Sequence, residues 1–264
     1  MKRREIASID RPMPPSIESF VRGARIFDSS CSPEARVCFI DRDDGYYVKT
    51  APRGTLAREA AMTEYFHKKG LGAQVLEYVS ADADWLLTRT IRGEDCTYPY
   101  YLAEPKRLCD LLATELRALH EIDASNCPLQ DRMTEYLSLS DENFAAGRGD
   151  LSLFERGASG FSFASVEEAY AILQEGRDKL KNEVLLHGDY CLPNVMLDGW
   201  KLSGFVDVGN GGVGDRHVDL FWGTWTLAFN LHTDRYRNRF LDAYGRDCVD
   251  EALLRVIAAA EVFG

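Results

Sequence analysis

The 264-residue chain lacks any apolar run long enough to span a bilayer. Its first residues, Met1-Lys2-Arg3-Arg4, lead into a polar, proline-containing stretch rather than the apolar core of a signal peptide. These absences predict a soluble, cytoplasmic protein with no membrane partner. Excess positive charge is missing as well: 31 Lys and Arg against 42 Asp and Glu give a formal net charge of -11. Such a surface repels phosphate backbones, which argues against nucleic acid as a partner and suits a cationic ligand. The 7 cysteines form no C-x-x-C pair and no Cys/His group at zinc spacing. Odd in number and scattered, they read as free thiols of a reducing compartment. Repeats and low-complexity tracts are absent, and no feature signals an oligomeric state.

What is present is a chain of two characters. Val37-Cys38-Phe39-Ile40 and Tyr46-Tyr47-Val48-Lys49 are β-rich runs around the turn Asp41-Arg42-Asp43-Asp44-Gly45, which predicts a hairpin. A helix is expected from Thr55 as its cap to Lys69, with Gly70 as its stop. Val75–Val79 and Trp85–Thr90 read as a second strand pair, and Arg92-Gly93-Glu94-Asp95 as a linker. Beyond it Leu108, Leu111, Leu112, Leu116 and Leu119 make a helical stripe ending near His120. The Gly- and Ser-rich stretch from Asp141 to Ser165 is expected to be a loop or a poorly defined insertion. Val184–Leu186, Val195–Leu197 and Leu202–Val206 are short strands, the last two joined at Asp198-Gly199. A strand-rich first third before a helix-rich remainder predicts an α+β, bilobal protein-kinase-like fold. Its lobes would be residues 1–91, binding nucleotide, and 92–264, carrying catalysis and the acceptor.

The chemistry sits in His187-Gly188-Asp189-Tyr190-Cys191-Leu192-Pro193-Asn194, followed by Val206-Asp207-Val208-Gly209. Kinases use H-x-D-x-x-x-x-N to supply a catalytic Asp and a metal-binding Asn, with a second metal-binding Asp on the next hairpin. Dense phosphate charge calls for a divalent cation held by hard oxygen ligands. A further carboxylate must orient the acceptor hydroxyl and take its proton. Asp189, Asn194 and Asp207 fill those places. Lys49 ends a strand where a kinase places the lysine that meets the α- and β-phosphates, and Glu59 or Glu64 on the next helix could hold it. A G-x-G-x-x-G loop is missing; Asp28-Ser29-Ser30-Cys31-Ser32-Pro33 stands there instead.

These segments, with Leu119 to Pro128, Ser203 to Gly209 and Gly214 to Asp219, resemble the aminoglycoside O-phosphotransferases over nearly the whole chain. The resemblance is closest to the branch that phosphorylates the 3′-hydroxyl of kanamycin and neomycin. It implies ATP and Mg2+ as cofactors, a small cationic amino sugar as substrate, and antibiotic resistance as the outcome. It implies Asp189 as catalytic base, Asn194 and Asp207 as metal ligands, Lys49 on the phosphates and Glu59 as its partner. Tyr47 would stack on adenine, the backbone of Arg89 and Ile91 would meet its edge, and Ser32 would lie over the phosphates. Asp219 would brace the catalytic loop. Glu155, Asn210, Glu261 and Phe263 fall where that branch contacts its acceptor. The chain departs from the branch at Arg156, Gly157, Ala158, Asn210 and Ala260, and runs one residue past Phe263. Three alternatives stand beside this reading: a kinase of another small-molecule alcohol, a non-catalytic nucleotide- or ligand-binding module, and a metallohydrolase built on His187 and Asp189.

Overall fold

The computed structural model describes residues 3–30, 35–155 and 160–264. The chain opens with β1 (Arg4–Ile6), α1 (Pro15–Val21), β2 (Arg25–Asp28), β3 (Arg36–Asp41) and β4 (Tyr46–Pro52). It continues with α2 (Ala57–Lys68), β5 (Val75–Ser80), β6 (Ala83–Arg89) and β7 (Glu94–Asp95). Then follow α3 (Pro99–Leu102), α4 (Pro105–His120), α5 (Arg132–Ala145), α6 (Ser152–Glu155) and α7 (Val166–Gly176). The last part contains β8 (Val184–Leu186), β9 (Val195–Asp198), β10 (Lys201–Phe205), β11 (Gly212–Gly214), α8 (His217–Leu231), α9 (Arg237–Gly245) and α10 (Glu251–Ala260). The contacts form two compact units, one of residues 1–95 with 195–209, the other of 96–194 with 210–264.

Unit 1 is built on an antiparallel six-stranded sheet in the order β1-β2-β3-β4-β6-β5. Alternation along β3 and β4 sends Cys38, Ile40, Tyr46 and Val48 to one face, where they bury with Trp85, Leu87 and the α1 residues Ile17 and Val21. The opposite face carries Tyr47, Lys49 and Ala51, and Ala51 packs with Leu86, Leu56 and Ala60 under α2. Thr55 does not cap that helix: its hydroxyl donates to the Pro52 carbonyl at 2.7 Å. The cap comes from Asp84 on β6, whose Oδ2 accepts the Leu56 N–H at 2.8 Å. Burial acts to raise the Asp84 pKa, but bonds from Ser80, the Gly54 and Leu56 amides and Tyr78 outweigh it and bring it down to about 2. Gly70 ends the helix as expected, at φ 77°.

The Arg92–Asp95 stretch is not a free linker. Glu94 and Asp95 form β7, which pairs antiparallel with Leu197 and Met196 of β9. Gly93, at φ 94°, lies against Leu197, and a Cβ there would run into the Leu197 carbonyl.

Unit 2 is mainly helical. The predicted stripe is real: Leu108, Leu112, Leu116 and Leu119 of α4 are buried, while Leu111 is half-buried. The stretch from Asp141 is not all loop, because α5 runs on to Ala145 and α6 spans Ser152–Glu155. Strand β8 is buried along its length and pairs with β11. Among the described residues no helix is long and apolar enough to cross a membrane.

Candidate active site

In unit 1 the site is assembled by strand register and a tie behind it. Lys49 follows Tyr47 by two residues on β4, so both side chains lie on the α2 face of the sheet. Helix α2 presents Glu59 to it, and Lys49 Nζ donates to both Glu59 oxygens, at 2.9 and 2.7 Å. Glu64, the other candidate, is exposed and pairs with Lys68. Five residues of helix turn it about 140° away from Glu59. The chain leaving α2 then grips the β9–β10 hairpin: the Phe205 N–H donates to the Leu71 carbonyl at 2.7 Å, and Gly72 bridges Phe205. Two residues on, Asp207 meets Lys49 Nζ at 3.0 Å.

Asp207 holds a left-handed φ of 58°, which L-residues adopt at a cost and Asp tolerates better than most. Its side chain is 54% exposed, so one oxygen serves Lys49 while the carboxylate stays open to a ligand. Burial would lower the Lys49 pKa, but the Glu59 and Asp207 charges win and raise it. Burial raises that of Glu59 against the pull of Lys49. The lysine is thus held charged and fixed, as a phosphate-binding cation must be.

Tyr47 is half-buried, and its ring centroid lies 5.4 Å from that of Phe39. The Arg89 N–H is spent on the Gln74 carbonyl at 2.9 Å. The Ile91 backbone has no partner among the described residues, so of the two it is Ile91 that offers an uncommitted donor. Ser32 lies outside the described residues.

In unit 2, β8 delivers the chain to His187 and a loop fixed from beneath. Asp219, in the first turn of α8 and fully buried, accepts the His187 N–H through Oδ2 and the Gly188 N–H through Oδ1, both at 2.8 Å. His120 Nε2 approaches the same carboxylate at 3.1 Å, and its Nδ1 meets the Tyr244 hydroxyl at 2.8 Å. Burial lowers the His120 pKa, so the ring is a neutral donor to Asp219. Gly188 has φ 84°, and a Cβ on it would collide with the Asn210 carbonyl. That carbonyl is itself tied to Arg132 Nε at 3.0 Å.

Asp189 emerges half-buried from this loop. Asn194, at 8% exposure, donates from Nδ2 to Asp189 Oδ2 at 2.8 Å and to the Asp189 carbonyl at 3.0 Å. With the amide nitrogen committed, Asn194 Oδ1 is left without a partner among the described residues, a hard oxygen donor in a nearly buried side chain. The Leu192 N–H donates to Thr226 Oγ1 at 3.1 Å, and the Tyr190 hydroxyl to the Leu112 carbonyl at 2.9 Å, which anchors the loop to α8 and α4.

The acceptor-side residues divide. Glu261 is half-buried and accepts from the Tyr136 hydroxyl at 2.7 Å and Trp222 Nε1 at 3.1 Å. Burial pushes its pKa up to about 7; the two hydrogen bonds oppose this and the Asp189 charge adds to it. Phe263 is not available to a ligand. It is fully buried, edge-on to Phe144 and Tyr170, and that burial contributes about 2–3 kcal/mol to unit 2. Asn210 is exposed. Glu155 closes α6, while Arg156, Gly157 and Ala158 lie outside the described residues.

A hydrolytic metal site does not fit. His217 Nδ1 bonds Asp215 at 2.6 Å and its Nε2 accepts the Asp250 N–H, while His187 Nδ1 accepts the Asp189 N–H. No group of three or more His, Cys, Asp and Glu converges as a metal cluster among the described residues. Asp207 in unit 1 and Asn194 Oδ1 in unit 2 each offer a hard oxygen, the donor type that a cation such as Mg2+ takes.

Residues 32–257 match the model of a family described as the phosphotransferase enzyme family. The chain belongs to that family. Over 252 residues it is 48% identical to a probable aminoglycoside 3′-phosphotransferase of Lactococcus lactis subsp. lactis, covering 95% of each. An aminoglycoside 3′-phosphotransferase of Niallia circulans is 32% identical over 184 residues, 68% of this chain and 67% of that one. Among solved structures, an aminoglycoside 3′-phosphotransferase of type VIII superposes with a TM-score of 0.78 at 24% identity, over 94% of this chain and 98% of that one. The α+β kinase-like architecture expected from the sequence is therefore the fold of this phosphotransferase.

Residues not singled out in the sequence do much of the holding: Asp84, His120, Tyr136, Trp222 and Tyr244. His120 was the most visible of them, a lone histidine closing the apolar stripe of α4.

Proposed function

We propose that the protein transfers the γ-phosphoryl group of ATP to the 3′-hydroxyl of an aminoglycoside, in the cytoplasm, and so confers resistance. The observation that carries this reading is the fixing of Asp189 by Asn194 in a loop whose backbone is pinned by buried Asp219. Membership of the family and the 48% identity to a probable aminoglycoside 3′-phosphotransferase support the acceptor class.

Asp189 orients the acceptor hydroxyl and receives its proton as the oxygen bonds to the γ-phosphorus and the bond to the β-phosphate oxygen breaks, giving ADP and a phosphate monoester. Lys49, charged and held by Glu59, steadies the α- and β-phosphates. Asp207 and Asn194 would hold Mg2+, which when bound neutralises charge on the β- and γ-oxygens. Tyr47 receives the base, with the Ile91 amide at its edge. Glu261 takes an acceptor amine, and Glu155 and Asn210 complete that side. The product carries added negative charge and no longer fits an RNA target.

ADP release with kanamycin against tobramycin, which lacks the 3′-hydroxyl, tests the reading. Turnover of kanamycin alone is expected. Equal turnover of both would refute the 3′ assignment, and turnover of neither would point to another small alcohol. Asp189→Ala should abolish transfer while Mg·ATP titrates as in wild type; activity within tenfold of wild type would remove Asp189 from its role.

A further inference from the structure

Phe27, Phe39 and Tyr47 are successive register partners on β2, β3 and β4, so their rings form a row on the sheet face that carries Lys49. Their centroids are 6.1 and 5.4 Å apart along the row. Two cations lie on this row among the described residues: Arg25, 5.0 Å from the Phe27 centroid and paired with Glu5, and Arg3 at the other two rings. Arg3, just ahead of β1, places its guanidinium 3.7 Å from the Phe39 centroid and donates from Nη2 to the Tyr47 hydroxyl at 2.8 Å. Its own backbone is registered by β1, where Arg4 pairs with Asp28 of β2. The guanidinium therefore does two things at once. Its plane packs on one aromatic, and its edge fixes the hydroxyl of the next.

We propose that Arg3 is a positioning residue for the nucleotide base, acting through Tyr47; this rests on the assignment of Tyr47 to the base. An unrestrained tyrosine on a half-exposed sheet face must be ordered when a base stacks on it, and that ordering weakens binding. Arg3 orders the ring beforehand. The cation–aromatic contact and the single hydrogen bond are both solvent-facing, so the expected effect is small and specific: about two- to fivefold in nucleotide affinity. It acts on the base, not on the phosphates, which Lys49 meets.

The test compares wild type with Arg3→Ala, Tyr47→Phe, the double variant and Tyr47→Ala. It reads kcat, KM for ATP and for the acceptor, and the inhibition constants of ADP and inorganic pyrophosphate. In Arg3→Ala the KM for ATP and the inhibition constant of ADP should rise about two- to fivefold. The kcat, acceptor KM and pyrophosphate constant should stay at wild-type values. Tyr47→Phe removes only the accepting hydroxyl and should give a comparable loss, and adding Arg3→Ala to it should cost little more. An unchanged ADP constant in Arg3→Ala, alongside a raised one in Tyr47→Ala, overturns the role of Arg3 alone. A pyrophosphate constant that rises in step with that of ADP overturns it too, because the sheet would then be loosened generally. Fully additive effects of Arg3→Ala and Tyr47→Phe show that Arg3 does not act through the hydroxyl. An unchanged ADP constant in Tyr47→Ala removes the base from Tyr47, and the inference falls with it.

Discussion

In the proposed reaction Glu261 holds an acceptor amine as a carboxylate, yet folding resists its ionisation. Its pKa rises from an ordinary 4.5 to about 7, chiefly through burial. The folded state therefore keeps this proton up to about pH 7, whereas the unfolded chain loses it near 4.5. Between those values the folded state binds more protons, so the group's contribution is fully present below about pH 4.5 and is lost as pH rises through 7. At about 1.4 kcal/mol per pH unit, the full displacement is worth about 3 kcal/mol. Glu261→Gln keeps an oxygen for the Tyr136 and Trp222 donors and has no proton to lose. Its melting temperature should match wild type at pH 4 and exceed it by about 6–10 °C at pH 8 for a chain of this size. In wild type the acceptor KM should fall as pH rises from about 6 to 7.5, because the carboxylate fraction grows in that interval. In Glu261→Gln the KM should be higher and lack this dependence. Scanning calorimetry and initial rates at matched ionic strength measure both. A constant gap in melting temperature between pH 4 and 8 would refute the burial argument, whatever the kinetics show.

Two further substitutions probe the scaffold. Asp84→Ala leaves the Leu56 and Gly54 amides without their acceptor at the start of α2, and each orphaned donor costs about 1–3 kcal/mol; urea titration should show a loss of about 2–4 kcal/mol, with a raised KM for ATP because α2 carries Glu59. Gly188→Ala forces a Cβ onto the Asn210 carbonyl at a positive φ; stability should drop by at least about 2 kcal/mol and kcat by more than tenfold, and a variant that crystallises with the Asp219 bonds to His187 and Gly188 intact and full activity would refute the account of the loop.

What could be read in advance followed local spacing. The β3–β4 hairpin, the α4 stripe and the eight residues from His187 to Asn194 carry their pattern within a few positions, and each appears where its pattern predicts. Helical geometry says that only one of Glu59 and Glu64 can face β4; the resemblance names Glu59, and Lys49 bonds it while Glu64 pairs with Lys68. Misjudged features depend on partners far along the chain. Thr55 has the composition of a cap, but Asp84, 28 residues from Leu56, reaches the amide first from the neighbouring strand. The Glu94–Asp95 strand exists only because β9 supplies an edge about a hundred residues later. Phe263 lies near the chain end, where exposure is the usual expectation, and is buried only because α5 and α7 bring Phe144 and Tyr170 to it.

The same distinction separates the chemistry of the site from its precision. Asp189 and Asn194 are five residues apart and could be paired from sequence alone. The carboxylate that pins their loop is thirty residues further on, and the ring that orients that carboxylate sits at position 120, held in turn by a hydroxyl at 244. Tyr244, His120 and Asp219 are buried polar groups that would be costly unpaired, and their bonds lead to the part-buried Gly188 amide. A motif scan finds Asp189 and Asn194. The family resemblance names Asp219 in advance, but no short pattern connects it to His120 and Tyr244, which hold it in turn.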